Sequence, residues 1–464
     1  MTFKIFPFVC LVLISINSVF AESGKPNVVF FLVDDFGWGA LSSMGSDFHE
    51  TPNIDQLAKS SMAFTDGYAA CTVCSPSRAA ILTGAYPGRT KLTDWIAGHK
   101  RPYAKLSVPD WNMKMEHERI LLPEALKEAG YATSFIGKWH LLPIKDEELM
   151  KDHFPESHGF DQNIGGREWG QPKGRGKYFH PFDMPNMTSK EGDYLTDRLT
   201  DYAVEFIEKN QDNPFLLYFS YYTVHGPLQA KSDLVEKYKA KWKSGKYKHR
   251  NPVYAAMVQS LDESVGRVLN KLDELGIADN TIVIFTGDNG AVGTNYCGGL
   301  KGAKALSHEG GVREPFFIKG PRIEAGTSSV PVIATDFYPT ILDLAGLDLK
   351  PEEHEDGVSL KPLLHRTGKI TERALYWHYP HYHKTNPYGA IRKGDYKLIE
   401  FFEDGSLELY NLRNDQSEKN NLAEKLPEKA AELLKDLKEW RISVEAQMPT
   451  PNPKFDPAKD KKKQ

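Results

Sequence analysis

The sequence predicts an α/β fold with a central, mostly parallel sheet, followed by a smaller unit of antiparallel sheet and one helix. Three observations carry this expectation. Short unbroken apolar runs recur along the chain, each followed by a cluster of polar residues. Stretches with helical spacing separate them. Near residue 366 the pattern changes to short strands joined by tight turns.

Residues 28–33 precede Asp34-Asp35, and residues 133–136 precede Gly137-Lys138-Trp139-His140. Residues 215–219 lead to His225, and residues 281–285 precede Gly287-Asp288-Asn289-Gly290. Runs this apolar suit strands buried on both faces, as in a parallel sheet. Residues 53–61 have helical spacing, residues 123–129 open with proline at a first helical turn, and residues 254–275 form a long amphipathic stretch. Strands alternating with helices give a layered α/β sandwich, in which ligands bind beyond the carboxyl ends of the strands. Any one polar cluster can be a plain strand-ending turn. Four with these residue types point to one shared site.

Beyond residue 366, strands are expected at 373–379, 389–392, 396–402 and 407–410, with a helix at 427–445. The length of 464 residues exceeds what one core usually serves. We divide the chain into a signal at 1–21, a large catalytic unit at 22–365, a small α+β unit at 366–448 and a disordered tail at 449–464, which is rich in proline and lysine.

Hydrophobic residues make up 40% and charged residues 26%, the profile of a globular protein, and the net charge of -4 speaks against a nucleic-acid partner. An anionic substrate must then be met by local basic residues. Lys4, the apolar run 5–16 and Val19-Phe20-Ala21 read as a cleavable secretory signal, so the protein is expected to be exported, periplasmic or extracellular. A membrane anchor is the alternative, but the run is short for a span, and no later run is apolar enough to cross a bilayer. Cys10 leaves with the signal. Cys71, Cys74 and Cys297 are an odd number for an exported chain, so at least one does something other than pair. Cys71-x-x-Cys74 looks like a zinc half-site, yet no second CxxC or HxxxH completes it.

The most specific signal is Cys74-Ser75-Pro76-Ser77-Arg78, continued by Ala79-Ala80-Ile81-Leu82-Thr83-Gly84. Here the chain resembles the formylglycine-dependent sulfatases of the alkaline phosphatase superfamily, whose signature is C-x-P-S-R followed by aliphatic-Thr-Gly. The resemblance runs through most of residues 26–345 and implies an alkaline-phosphatase-like sandwich with a small C-terminal domain. It also implies that a formylglycine-generating enzyme oxidises Cys74 to an aldehyde. The hydrated aldehyde has two hydroxyls: one attacks sulfur, and the other lets the sulfated hemiacetal collapse and expel sulfate. Cys71 does not qualify, because Val73 stands where proline is needed. A buried cysteine before an ordinary helix is the bland alternative.

Asp34-Asp35 after a buried strand, and Asp288-Asn289 after another, supply oxygen ligands that suit calcium or magnesium rather than zinc. In order and context they match the family's calcium ligands, beside the modified Cys74. Arg78, one turn along from Cys74, is placed to brace the nucleophile and the carboxylates. Gly137-Lys138-Trp139-His140 resembles the family's GKWHLG segment, with Leu142 where glycine is usual. That departure is expected to alter the local turn. The resemblance gives Lys138 to sulfate and His140 to the formylglycine hydroxyl. It makes His225, before Gly226-Pro227, and Lys304, before the family-like 309–315 run, candidates for protonating the leaving oxygen. Lys301 is a rival at the wrong offset.

For the substrate, His378, His381 and His383 at the junction with the small unit, and Trp95 after the signature helix, have the stacking and hydrogen-bonding groups a sugar ring needs. An interdomain packing strip is the alternative. Thr93, Asp94, Ile96 and His99 lie in the same segment as Trp95, which resembles carbohydrate-active bacterial sulfatases. The expected substrate is a sulfated polysaccharide or glycosaminoglycan fragment, with galactose or N-acetylgalactosamine sulfate foremost. A phosphomonoesterase or phosphonate hydrolase of the same superfamily, and a non-catalytic carbohydrate-binding protein, are the competing readings.

Overall fold

The computed structural model describes residues 24–144, 146–246 and 250–460. The expected signal at 1–21 lies outside them. The central sheet has eight strands: β1 (Asn27–Val33), β2 (Met62–Phe64), β3 (Ala132–Gly137), β4 (Gln162–Ile164), β5 (Phe215–Ser220), β6 (Thr281–Gly287), β7 (Phe316–Lys319) and β8 (Gly326–Ser328), in the order β8-β2-β7-β6-β1-β5-β3-β4. Pairing is parallel except at β7, which runs against both neighbours.

The double-sided burial inferred from the apolar runs is literal. Val28, Phe30 and Leu32 enter one core, with helices Cys74–Thr83, Leu122–Glu128 and Phe337–Leu344. Val29, Phe31 and Val33 enter the other, with helices Leu195–Lys209 and Pro252–Glu274. Alternate side chains of one strand thus feed two cores, as the pleat requires. The helix expected at 254–275 starts two residues earlier because the Asn251 side chain caps it, accepting from Val253 and Tyr254 N–H.

The small unit is a four-stranded antiparallel meander, β9 (Ala374–Tyr379), β10 (Tyr388–Lys393), β11 (Tyr396–Phe401) and β12 (Leu407–Asn411), with helix Pro427–Ser443 packed on it. It is joined to the large unit by buried charge. Lys397 on β11 meets Glu309 at 2.9 Å and Glu418 at 3.2 Å, and Arg392 on β10 binds Asp66 at 2.6 Å.

The tail corrects an expectation. Composition read 449–464 as disordered; residues 461–464 lie outside the described residues, but within 449–460 Thr450–Pro451 pairs antiparallel with Leu106–Ser107, and Arg101 holds Asp460 at 2.5 Å. Backbone pairing does not need the apolar residues that the segment lacks. Among the described residues, no helix is long and apolar enough to cross a membrane.

Candidate active site

The carboxyl ends of β1, β3 and β6 and the loop after β5 deliver their polar clusters to one place, where helix Cys74–Thr83 begins. Cys74 is the first residue of that helix, with Val73 as its extended N-cap. Its sulfur lies 3.6 Å from Asp34 Oδ1 and 3.3 Å from Lys304 Nζ. One ligand atom each from Asp34, Asp35, Cys74 and Asp288 lies within 4.8 Å of the others. Cys71, Cys74 and Cys297 are all free, buried thiols.

Arg78 spans the cluster from the next helical turn. Its guanidinium pairs with Asp288 Oδ2 at 2.7 Å and approaches Asp34 Oδ1 at 3.6 Å. It also donates to the Lys138 carbonyl at 2.7 Å and to Ser220 Oγ at 2.6 Å. Lys138 reaches Asp34 Oδ2 at 2.7 Å, and Lys304 reaches Asp35 Oδ2 at 2.8 Å. Lys301, the rival, instead donates to Tyr410 in the small unit.

Close packing sets Lys138. Gly137 has φ +105, and a Cβ there would fall 1.9 Å from the Ser220 carbonyl oxygen, so glycine is required where β3 meets β5. Asp35 and His140 adopt left-handed φ of 55 and 59 without being glycine. Such residues persist where surroundings enforce them, often at functional sites. Leu142 is buried and absent from the left-handed set, so the expected change of turn brings no demand for glycine.

His140 Nε2 donates to the Ile96 carbonyl at 2.7 Å, which leaves Nδ1 as an acceptor with no protein partner. Ser75 fixes both chains: its hydroxyl donates to the His140 carbonyl and accepts from Ile96 N–H. His225 Nδ1 donates to the Gly226 carbonyl at 2.8 Å and presents Nε2 to Asp35 Oδ2 at 3.4 Å.

The buried charges explain the electrostatics. Burial pushes the Cys74 thiol up to about 12, with Lys138 and Lys304 pulling against it. Burial also raises the Asp34 carboxyl, opposed by Lys138 and reinforced by Asp288 and Asp35. Burial would raise Asp35 too, but Lys304 and His225 outweigh it and hold the carboxyl below its usual range. Burial lowers His225 to about 4 and His140 well below its ordinary value.

A hard divalent cation fits this set. Asp34, Asp35, Asp288 and Asn289 offer only oxygen donors of the kind calcium takes, and Asn289 Oδ1 is buried with no hydrogen-bond partner. The upward push on Asp34 by neighbouring carboxylates is what an added cation would relieve.

The four residues proposed for sugar binding separate. Trp95 lies 6.4 Å from the His140 ring and 6.5 Å from His383, and His383 Nδ1 meets His99 Nε2 at 3.0 Å. These line the approach to the cluster. His381 is buried behind them, bonded to Thr93 Oγ1 at 2.8 Å. His378 does not join. It is buried, bonded to the Gln447 carbonyl at 2.9 Å and packed on Phe402, because it sits on the regular strand β9 that pairs within the small unit. A cavity of about 550 Å³ opens beside this rim, lined by Asp94, His99, Lys100, Arg101, Trp111 and His381.

Other contributors had no sequence signal: Ser75, Ser220 and the Ile96 carbonyl. Gly170 is a further one. A Cβ there would fall 2.6 Å from His140 Cε1, so the segment of Arg167 and Trp169 lies directly against the His140 imidazole. Arg167 stacks over Trp169 at 3.5 Å.

The family described as Sulfatase matches residues 26–347, and that described as N-sulphoglucosamine sulphohydrolase, C-terminal, matches residues 303–447. A sulfatase of Formosa agariphila is 33% identical over an alignment 497 positions long, gaps included, covering 91% of this chain and 90% of the relative. The N-acetylgalactosamine-6-sulfatase of Sus scrofa is 34% identical over an alignment 401 positions long, gaps included, covering 80% and 71% respectively. The crystal structure of Ps i-CgsB superposes with a TM-score of 0.76 at 29% identity, over 93% of this chain and 94% of that one. The same protein has been solved with k-i-k-neocarrahexaose.

Proposed function

The chain belongs to the sulfatase family of the alkaline phosphatase superfamily and is a sulfuric ester hydrolase; from this premise we propose that it is exported and removes sulfate from a carbohydrate substrate, using Cys74 matured to formylglycine. The observation that carries the reading is the position of Cys74. It begins a helix, faces two ammonium groups and adjoins a carboxylate set that fits calcium. A thiol pushed up to about 12 is not poised to act as a thiolate. The aldehyde hydrate supplies what the thiol lacks, an oxygen nucleophile and a second hydroxyl through which sulfate can be expelled. Calcium, held by Asp34, Asp35, Asp288 and Asn289, would supply Lewis acidity beside it.

The chain's own groups then divide the work. Lys138 and Lys304 meet the anionic sulfate oxygens. Arg78 fixes Asp288 and the helix turn below the nucleophile. His140 Nδ1, bare of any protein partner, takes the proton of the hydroxyl that drives sulfate release. Lys304, whose proton Asp35 helps to retain, stands as donor to the leaving sugar oxygen; His225, with its Nδ1–H given to the Gly226 carbonyl, donates from Nε2 only in its protonated form.

The substrate class is supported by the rim of Trp95, His99 and His383 and by relatives named for N-acetylgalactosamine 6-sulfate and neocarrahexaose. A sulfated galactose or N-acetylgalactosamine unit fits best. The signal-like pattern of Lys4, the apolar run 5–16 and Val19-Phe20-Ala21 supports export. Against the phosphomonoesterase reading stands the all-oxygen, carboxylate-rich donor set, where zinc phosphatases need histidines.

The test is mass spectrometry of the peptide spanning Cys74, from a host with the maturing enzyme, paired with aryl sulfate and sugar sulfate assays. Thiol-to-aldehyde conversion in the active fraction, with no activity in Cys74→Ala, is the expected result. An unmodified thiol in active protein overturns it.

A further inference from the structure

Away from the catalytic cluster, three histidines meet. His117 comes from the loop ahead of helix Leu122–Glu128, His153 follows helix Glu147–Lys151, and His158 closes the turn Pro155–His158. One ring nitrogen of each lies within 4.8 Å of the others. His158 is fully buried, and neither of its ring nitrogens has a hydrogen-bond partner. A neutral imidazole carries a hydrogen on one nitrogen and a lone pair on the other, and burying both unpaired is costly. A buried group of this kind calls for a partner the protein itself does not supply.

We propose that His117, His153 and His158 hold a divalent transition-metal ion of the zinc class, at a site separate from the oxygen donors beside Cys74. Imidazoles suit zinc, copper or nickel, whereas calcium takes oxygen ligands. Three histidines leave a fourth tetrahedral position for water.

Two local changes accompany binding. His117 is stacked 4.4 Å from His158 and 4.7 Å from His153, so its ring must turn to aim a lone pair at a shared ion. It is the exposed member, and turning releases its Nε2 from the Asp152 carbonyl. Lys114 stands 3.3 Å from His153 Nε2 and competes as a cation, but it already pairs with Glu116 at 3.0 Å and can retreat there.

The site reaches the catalytic segment through one residue. Trp139 donates its indole N–H to the His153 carbonyl at 3.0 Å and lies 5.8 Å from the His158 ring. Trp139 stands between Lys138 and His140 in the chain. An ion here would tie the loops at 117 and 153–158 against the strand end that delivers both.

The test is zinc titration by calorimetry on the full chain in excess calcium, with cobalt(II) absorption as the report of ligand geometry. The wild type is expected to bind one zinc ion, to show tetrahedral cobalt bands and to melt at higher temperature with zinc. His117→Gln, at an exposed position that should not disturb folding, is expected to weaken binding about tenfold or more. Lys114→Met is expected to tighten it, and Cys74→Ala to leave it unchanged. Absence of zinc uptake, or uptake that survives His117→Gln and is lost in Cys74→Ala, overturns the proposal.

Discussion

The Lys304 ammonium stands 3.3 Å from the Cys74 sulfur while holding Asp35 Oδ2 at 2.8 Å. One cation therefore touches both the proposed nucleophile position and a carboxylate of the proposed metal site. Burial would strip its proton, but Asp35, Cys74 and Asp34 outweigh that and raise its pKa. Lys304→Ala is expected to lower kcat on a sugar sulfate by about 10²–10⁴-fold, the range for a lost general acid. The loss should be much smaller on an aryl sulfate, whose phenolate leaves without protonation. Equal losses on both would assign Lys304 to sulfate binding instead.

Calcium removal provides the second expectation. Dialysis against a chelator should abolish activity and lower the thermal midpoint, and calcium should restore both. An ion bound only by the folded state at a hundred times its Kd stabilises by about 2.7 kcal/mol. Asp288→Ala should cost more than this ligand effect, because it also leaves the buried Arg78 guanidinium without its 2.7 Å partner. Breaking one side of a buried pair typically costs about 3–5 kcal/mol. Denaturant melts of the calcium-free proteins isolate that second contribution.

The legible part of the site was the part that sits on strand ends. Asp34, Lys138 and Asp288 follow runs apolar enough to be recognised as strands buried on both faces, and the α/β topology then forces those ends together. Cys74 and Arg78 were readable from a contiguous motif. What supports them was not. Ser75, Ser220 and the Ile96 carbonyl act by geometry between distant segments, and a serine or a backbone oxygen has no sequence signature. His378, His381 and His383 read as one aromatic strip. In the structure His378 lies on the regular strand β9, and His383 lies beyond its end, so their partners differ entirely. The tail was misread because composition reports apolar burial and is blind to strand pairing such as that of Thr450–Pro451.

Lys397 and Glu309 join the two units, and their pairing has a pH signature. Burial alone would raise the Glu309 carboxyl, but Lys397 and Arg313 outweigh it and bring it down to about 2. A carboxyl depressed in the folded state stabilises fully above its unfolded pKa, near 4.5, and loses that contribution as pH falls toward 2. Acid unfolding should therefore steepen between those values, and Glu309→Gln should flatten the profile there. Lys397→Met should be worse at neutral pH, by about 3–5 kcal/mol, since it takes the cation from buried Glu418 and leaves Glu309 with Arg313 alone. Chemical denaturation at several pH values separates the two effects.

Trp95 offers the test of substrate class. It is half-buried, lies edge-on to His99 at 5.1 Å and stands 6.4 Å from the His140 ring. An aryl sulfate offers no sugar hydroxyls or extended glycan to the rim. Trp95→Ala is thus expected to raise KM for a sulfated galactose or N-acetylgalactosamine oligosaccharide about tenfold, the effect of losing roughly 1.4 kcal/mol of contact. Activity on a small aryl sulfate should stay within about twofold. If both substrates suffer alike, Trp95 supports His140 through packing rather than by reading the sugar.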